Sequence, residues 1–117
     1  MTAAEFERTV QQEATQWAFI QWIVSVDRTD YAVKLRLHVD AECFVQVYAN
    51  VQKGLISFTL VVNRARIYGR DCEGGVWHRH PHHAPETHDF SSEGSQAITL
   101  ARFLVEVQQI LQAKGML

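Results

Sequence analysis

The sequence predicts an α+β domain: an antiparallel meander of four or five strands, with an N-terminal and a C-terminal helix packed on one face of the sheet. Three observations predict it. Apolar residues recur at helical spacing near both ends of the chain, the residues between them alternate between apolar and polar types, and the connections are only two to four residues long. Short connections favour antiparallel hairpins. The length of 117 residues fits a single domain, residues 1–117.

Two amphipathic segments predict the helices. The first covers residues 2–15 and begins with a capping-box pattern, Thr2 followed three positions later by Glu5. The second covers residues 95–114, where apolar residues recur at spacings of three and four and Gly115 is a typical stop. Each helix therefore presents one apolar stripe, which must face the sheet.

The strands are predicted from alternation and from β-branched and aromatic residues. They cover residues 18–27, 31–39, 43–51, 55–62 and 64–71. Residues 72–94 show no regular period, although Gly74 and Gly75 are expected to form a turn. This segment is therefore predicted to be a loop.

Composition excludes several classes of protein. Hydrophobic residues make up 47% and charged residues 21% of the chain, the usual balance for a soluble globular domain. No apolar run approaches the roughly 20 residues that span a membrane. The polar first residues lack the apolar stretch of a signal peptide, so a cytoplasmic protein without a membrane partner is expected. Two cysteines do not form a disulfide framework.

The face of the sheet opposite the helices is expected to be open and rich in cations and aromatic rings. Alternate positions of three strands supply this set: Lys34, Arg36, His38, Phe44, Gln46, Tyr48, Arg64, Arg66, Tyr68 and Arg70. Cations follow the phosphates of single-stranded nucleic acid while aromatic rings stack on its bases. The alternative is a solvated outer face that binds nothing.

Five of the six histidines lie close together in the predicted loop. They are His78, His80, His82, His83 and His88. One interpretation is a metal site. His78, His80 and His82 alternate, so their imidazoles would point to one side of an extended chain, and a divalent transition metal such as Zn²⁺ suits them. Asp71, Glu86 or His88 would complete the site.

A second interpretation is metal-free cleavage of RNA. Imidazole can serve as base or acid near neutral pH. The candidate catalytic residues are His78, His80, His82, His83, His88 and Asp71, and the candidate substrate-binding residues are Arg64, Arg66, Arg70, Arg79 and Tyr68. A third interpretation is a structural loop anchored by Trp77. The sequence is compatible with each of these three interpretations.

The chain also resembles the TumE-type toxin components of bacterial and archaeal toxin–antitoxin pairs over residues 31–111. A meander leads to Arg66-Ile67-Tyr68-Gly69-Arg70-Asp71, then to the stretch His78-Arg79-His80-Pro81-His82-His83, then to a closing helix at 95–114. The resemblance implies a small cytoplasmic growth-inhibiting protein that acts on RNA and is neutralised by an antitoxin protein.

The leading functional prediction is therefore a toxin-like protein acting on RNA, with ribonuclease activity in the histidine-rich loop. The alternative is a non-catalytic module that binds a metal or a protein partner. An enzyme should place at least two of the histidines around one cleft beside Arg70, whereas a metal site should bring three ligands together.

Overall fold

The computed structural model describes residues 1–117 as two helices and one six-stranded sheet. The elements are α1 (Ala3–Ala14), β1 (Trp22–Arg28), β2 (Ala32–His38), β3 (Cys43–Asn50), β4 (Leu55–Val62), β5 (Ala65–Glu73), β6 (Val76–His80) and α2 (Leu100–Ala113). The strands follow one another across the sheet in chain order, and every neighbouring pair is antiparallel. The predicted α+β class is confirmed.

The predicted number of strands was too low, because the segment after Asp71 continues the sheet. Strand β5 runs on to Glu73, and Gly74 and Gly75 turn the chain into β6. Both glycines have positive φ, 59° and 86°, as a two-residue hairpin turn requires. The first predicted strand was also too long, since β1 begins only at Trp22.

Local sequence signals explain the ends of both helices. The Thr2 side chain caps α1 by accepting a hydrogen bond from the Glu5 backbone N–H at 3.1 Å, as the capping-box pattern predicts. Thr99 caps α2 in the same way through the Arg102 N–H, so α2 begins at Leu100 and not at residue 95. Neither helix is long and apolar enough to cross a membrane.

The core lies between the two helices and one face of the sheet. Val10 and Ala14 of α1 and Leu104 and Val107 of α2 are buried in one cluster with alternate residues of the strands. Strand β2 shows the pattern plainly, because Val33, Leu35 and Leu37 are buried while their neighbours are half-buried. Alternation along each strand therefore separates a helix-covered face from an open face.

A β-bulge in β5 decides which face its polar residues occupy. Leu60 pairs with Tyr68, but the next residue, Val61, pairs with Arg66, so Ile67 is the extra residue. Tyr68 is therefore on the helix-covered face together with Leu60, and Arg66 is on the open face with Val61. The prediction that Arg64, Arg66, Tyr68 and Arg70 lie on one face of the sheet was therefore wrong.

Some of the residues that were predicted for the open face of the sheet do lie there. Lys34 pairs with Tyr48, Arg36 with Gln46 and His38 with Phe44. The Arg36 guanidinium lies 4.8 Å from the centre of the Phe44 ring. Arg64 contributes nothing to this face, because it lies in the β4–β5 turn with φ 69°.

Candidate metal centre

The β5–β6 hairpin brings the first three residues of the site together. Asp71 of β5 pairs directly with His78 of β6, and His80 lies two residues further along the same strand. Residues two apart on a strand point to the same face. Asp71, His78 and His80 therefore meet on the open face at the outer edge of the sheet.

The side-chain atoms of these residues converge on one point. Nε2 of His78 lies 3.1 Å from Nε2 of His80. Oδ2 of Asp71 lies 3.4 Å from the first nitrogen and 3.2 Å from the second. Ligands bound to Zn²⁺ at about 2.0–2.1 Å in a tetrahedron are separated by roughly 3.3–3.4 Å. The three atoms thus have the spacing of one face of a zinc coordination tetrahedron.

Hydrogen bonding fixes the tautomer of His80. Its Nδ1 lies 3.0 Å from the carbonyl oxygen of Pro85, which can only accept, so Nδ1 carries the proton. Neutral His80 then directs an unprotonated Nε2 at the site. Burial lowers the pKa of His80, and the positive charge of Arg66 lowers it further, so the neutral form is favoured.

Ser57 orients the carboxylate. Its hydroxyl donates to Oδ1 of Asp71 at 2.7 Å, because Ser57 of β4 and Asp71 of β5 are paired. The second oxygen, Oδ2, remains for the histidines. Such outer hydrogen bonds hold ligating carboxylates in place in metal sites. Ser57 was missed from the sequence, because the bulge at Ile67 sets the register that places Ser57 opposite Asp71.

His88 comes to the site from the segment that follows β6. Its ring centre lies 4.9 Å from that of His78 and 4.8 Å from that of His80. The ligand atoms of the three histidines lie within 4.8 Å of one another. His88 is exposed, whereas His80 is buried. The ligand atoms that lie mutually close are therefore those of His78, His80 and His88, and Asp71 lies beside the first two.

Arg79 and Asp89 hold the segment that carries His88. Their backbones exchange two hydrogen bonds, of 3.1 and 2.8 Å. The Arg79 guanidinium also donates to Oδ2 of Asp89 at 2.6 and 2.9 Å. Hydrogen bonds from Ser91 and from Arg79 lower the pKa of Asp89 to about 2. The charged pair thus fixes the residue next to His88.

Two of the five histidines do not join the cluster. His82 and His83 are exposed, and their ring centres lie 5.7 Å from each other. Strand β6 ends at His80, and Pro81 begins a turn, so the alternation that suggested His82 as the third ligand does not continue. His88 occupies the place predicted for His82.

Arg70 and Tyr68 lie on the other side of the sheet from His78, His80 and His88, so these three histidines do not line a cleft beside Arg70. The Arg70 guanidinium donates to both carboxylate oxygens of Glu106 at 3.1 and 2.7 Å, and the Tyr68 hydroxyl donates to one of them at 2.9 Å. Burial alone would lower the pKa of Arg70, but the bonds to Glu106 raise it. Burial and Glu106 raise the pKa of Tyr68 to about 12. Neither side chain is available to a ligand on the open face.

Of the predicted substrate-binding cations, Arg66 alone is near the cluster. Its guanidinium donates to the Pro85 carbonyl oxygen at 3.4 Å, next to His80. Arg79 is paired with Asp89 and Glu93. The arrangement can therefore do two things: hold a divalent metal, or share a proton between two imidazoles beside one cation.

Comparisons with known proteins add no relative. No family model, no curated protein and no solved structure matches this chain. The resemblance to TumE-type toxins therefore stays a prediction.

Proposed function

We propose that this protein binds a divalent transition metal, with Zn²⁺ as the best fit, through His78, His80, His88 and Asp71. The observation that carries the proposal is the convergence of two imidazole nitrogens and a carboxylate oxygen at 3.1–3.4 Å. His80 offers a lone pair there and not a proton. A cation between these atoms replaces their mutual repulsion by three bonds, and imidazole with carboxylate is a ligand set that Zn²⁺ accepts.

The expected role of the metal is structural. Three histidines and one aspartate would fill a tetrahedral shell, and closed shells are typical of structural zinc, whereas catalytic zinc keeps a position for water. His78, His80 and Asp71 belong to the hairpin, but His88 belongs to the segment after it. The bound metal would therefore fasten that segment to the edge of the sheet.

Calorimetric titration with Zn²⁺ tests the proposal. The wild type should bind one ion, and His88→Ala should weaken binding by at least about tenfold. His83→Ala is the matched control, since His83 is an exposed histidine of the same segment outside the cluster. Absence of zinc binding by the wild type, or an equal loss in both variants, contradicts the proposal.

RNA cleavage by a toxin-like cytoplasmic protein is the second candidate. It is supported by the pair of imidazoles 3.1 Å apart beside Arg66, since one could accept a proton while the other donates one. Lys34 and Arg36 on the open face could bind phosphates. In this interpretation the protein inhibits growth and is neutralised by an antitoxin, as the resemblance to TumE-type toxins implies.

The effect of a metal chelator distinguishes the two candidate functions, zinc binding and metal-free RNA cleavage. Metal-free cleavage should survive chelator, show a bell-shaped pH profile, and lose roughly 10²–10⁴ in rate for His78→Ala. RNA affinity should fall with salt, with a slope of about −0.7 per phosphate contacted. Arg36→Gln should reduce this slope, whereas Lys53→Gln, in the β3–β4 turn, should not. No cleavage and no growth arrest would remove the RNA candidate.

A further inference from the structure

A second candidate site lies on the helix-covered side of the sheet, away from the metal centre. A cavity of about 460 Å³ opens between α2 and the turn that follows β6. Pockets for small molecules commonly measure about 300–1,000 Å³. Tyr68 and Glu106 contribute to its lining, and His82 and His83, the two histidines outside the metal cluster, lie beside it.

One of the two carboxylates of this cavity, Glu106, is compensated by a buried arginine, whereas Glu93 shares its cation Arg79 with Asp89. Oε1 of Glu106 accepts from Tyr68 and Arg70, and Oε2 accepts from Arg70. Glu93 is paired with Arg79 at 3.2 Å. The Arg70–Glu106 ion pair is buried. Its effect is to remove the negative charge that would repel an anion.

Two of the three cations that line the cavity, Arg102 and Lys114, make no ion pair, whereas Arg79 is paired with Asp89 and Glu93. Arg102 and Lys114 are exposed, and neither has a carboxylate within ion-pair distance. The imidazoles of His82 and His83 make no hydrogen bond within the chain. The chain as a whole carries a net charge of −2, so this local excess of positive charge runs against the rest of the molecule. A positively charged cavity attracts and concentrates anions.

The length of the cavity limits the ligand. Arg102 and Lys114 are twelve residues apart on α2, which corresponds to roughly 18 Å along the helix. A single phosphate would not reach both ends. Pro81 and Ile110 offer apolar surface between the charged groups, and the two imidazoles offer flat faces for stacking.

We propose that this cavity binds a phosphorylated small molecule of nucleotide size, such as a nucleoside diphosphate. The phosphates are held by the unpaired cation at one end of the cavity, and the ring system packs on the apolar and imidazole surface between the two ends. The site is distinct from the metal centre, because the two lie on opposite faces of the sheet and no metal-ligand candidate lines the cavity.

Calorimetric titration with ADP and with pyrophosphate tests this site. ADP should bind more tightly than pyrophosphate, and one of the two substitutions Arg102→Gln and Lys114→Gln should weaken ADP binding by about tenfold while the other weakens it less. Lys53→Gln is the matched control, an exposed lysine remote from the cavity, and should bind ADP as the wild type does. His88→Ala should also leave ADP binding unchanged. All four substitutions are at exposed positions, so the variants should fold.

Several results would overturn the proposal. One is no ADP binding at about 1 mM ligand. Another is equal weakening by Lys53→Gln and Arg102→Gln, which would mean non-specific attraction. Equal affinity for pyrophosphate and ADP would rule out a nucleotide-sized ligand. Loss of ADP binding in His88→Ala would show that the phosphates bind at the metal centre. Arg102-dependent binding of single-stranded RNA without binding of ADP would show that the surface binds a nucleic-acid polymer.

Discussion

Nε2 of His78 and Nε2 of His80 lie 3.1 Å apart on the open face of the sheet, and the carboxylate of Asp71 lies within 3.4 Å of both. Two ring nitrogens at this distance can share one proton or bind one metal ion. The tautomer of His80, fixed by the Pro85 carbonyl, leaves the nitrogen that faces the site unprotonated. This relationship between two residues of one strand is the basis of the proposed metal centre.

The hydroxyl of Ser57 should contribute to metal affinity without being a ligand. Ser57→Ala removes the hydrogen bond to Oδ1 of Asp71 and frees the carboxylate to rotate, so zinc affinity should fall by about 10–100-fold. Ser25→Ala is the matched control, because Ser25 makes a similar bond to Glu7 at the far edge of the sheet. Equal zinc affinities for wild type and Ser57→Ala would contradict the orienting role of the Ser57 hydroxyl.

Gly94 should be required for the segment that carries His88. A Cβ atom at this position would lie 2.7 and 2.8 Å from the carboxylate group of Asp89, closer than atoms can approach. Gly94→Ala should therefore destabilise the protein by about 1–3 kcal/mol in denaturant unfolding and weaken zinc binding. Ser92→Ala in the same turn should change neither quantity. If Gly94→Ala matches the wild type in both, Asp89 does not hold His88 in place.

Ionisation of Tyr68 should make stability depend on pH in the alkaline range. The folded-state pKa is raised from 10.0 to about 12, so the stabilising contribution is complete below pH 10 and is lost as pH rises towards 12. Unfolding free energy should decline more steeply over this window in the wild type than in Tyr68→Phe. Tyrosinate absorbance should also show a component near pH 12 that the variant lacks. Identical titrations would contradict the buried Tyr68–Glu106 contact.

Leu104 should be a main contributor to the contact between α2 and the sheet. Its side chain is fully buried, so Leu104→Ala should lower the unfolding free energy by about 2–5 kcal/mol. Gln112→Ala, an exposed position of the same helix, should change it little. Urea unfolding measures both. A loss below about 1 kcal/mol for Leu104→Ala would mean that α2 does not pack as described.

The regular parts of the fold could be predicted because their signals are local. Alternation in β2 identifies its buried residues, and Thr2 with Glu5 identifies the start of α1. Strand β6 was missed because it is short and mixes Trp77 and Arg79 on one face with histidines on the other. Its polar residues have a tertiary role that alternation alone does not reveal.

The candidate site was predicted only in part, because two long-range features decide it. The bulge at Ile67 shifts Tyr68 and Arg70 to the helix-covered face, and nothing in the local pattern marks an inserted residue. The choice of His88 over His82 depends on where β6 ends and on the pairing of Arg79 with Asp89, ten residues apart. Asp71, His78 and His80 were predicted as candidates from the clustering of histidines and a nearby carboxylate, whereas the hairpin that brings them together was not predicted.

The most direct test of the proposed metal centre is X-ray absorption spectroscopy of the zinc-loaded protein. The account predicts a shell of nitrogen and oxygen ligands at about 2.0–2.2 Å with an imidazole scattering pattern, reduced by one imidazole in His88→Ala. A sulfur shell at about 2.3 Å would contradict it, because Cys43 and Cys72 are buried and lie outside the cluster. Failure of the protein to retain zinc would contradict it equally.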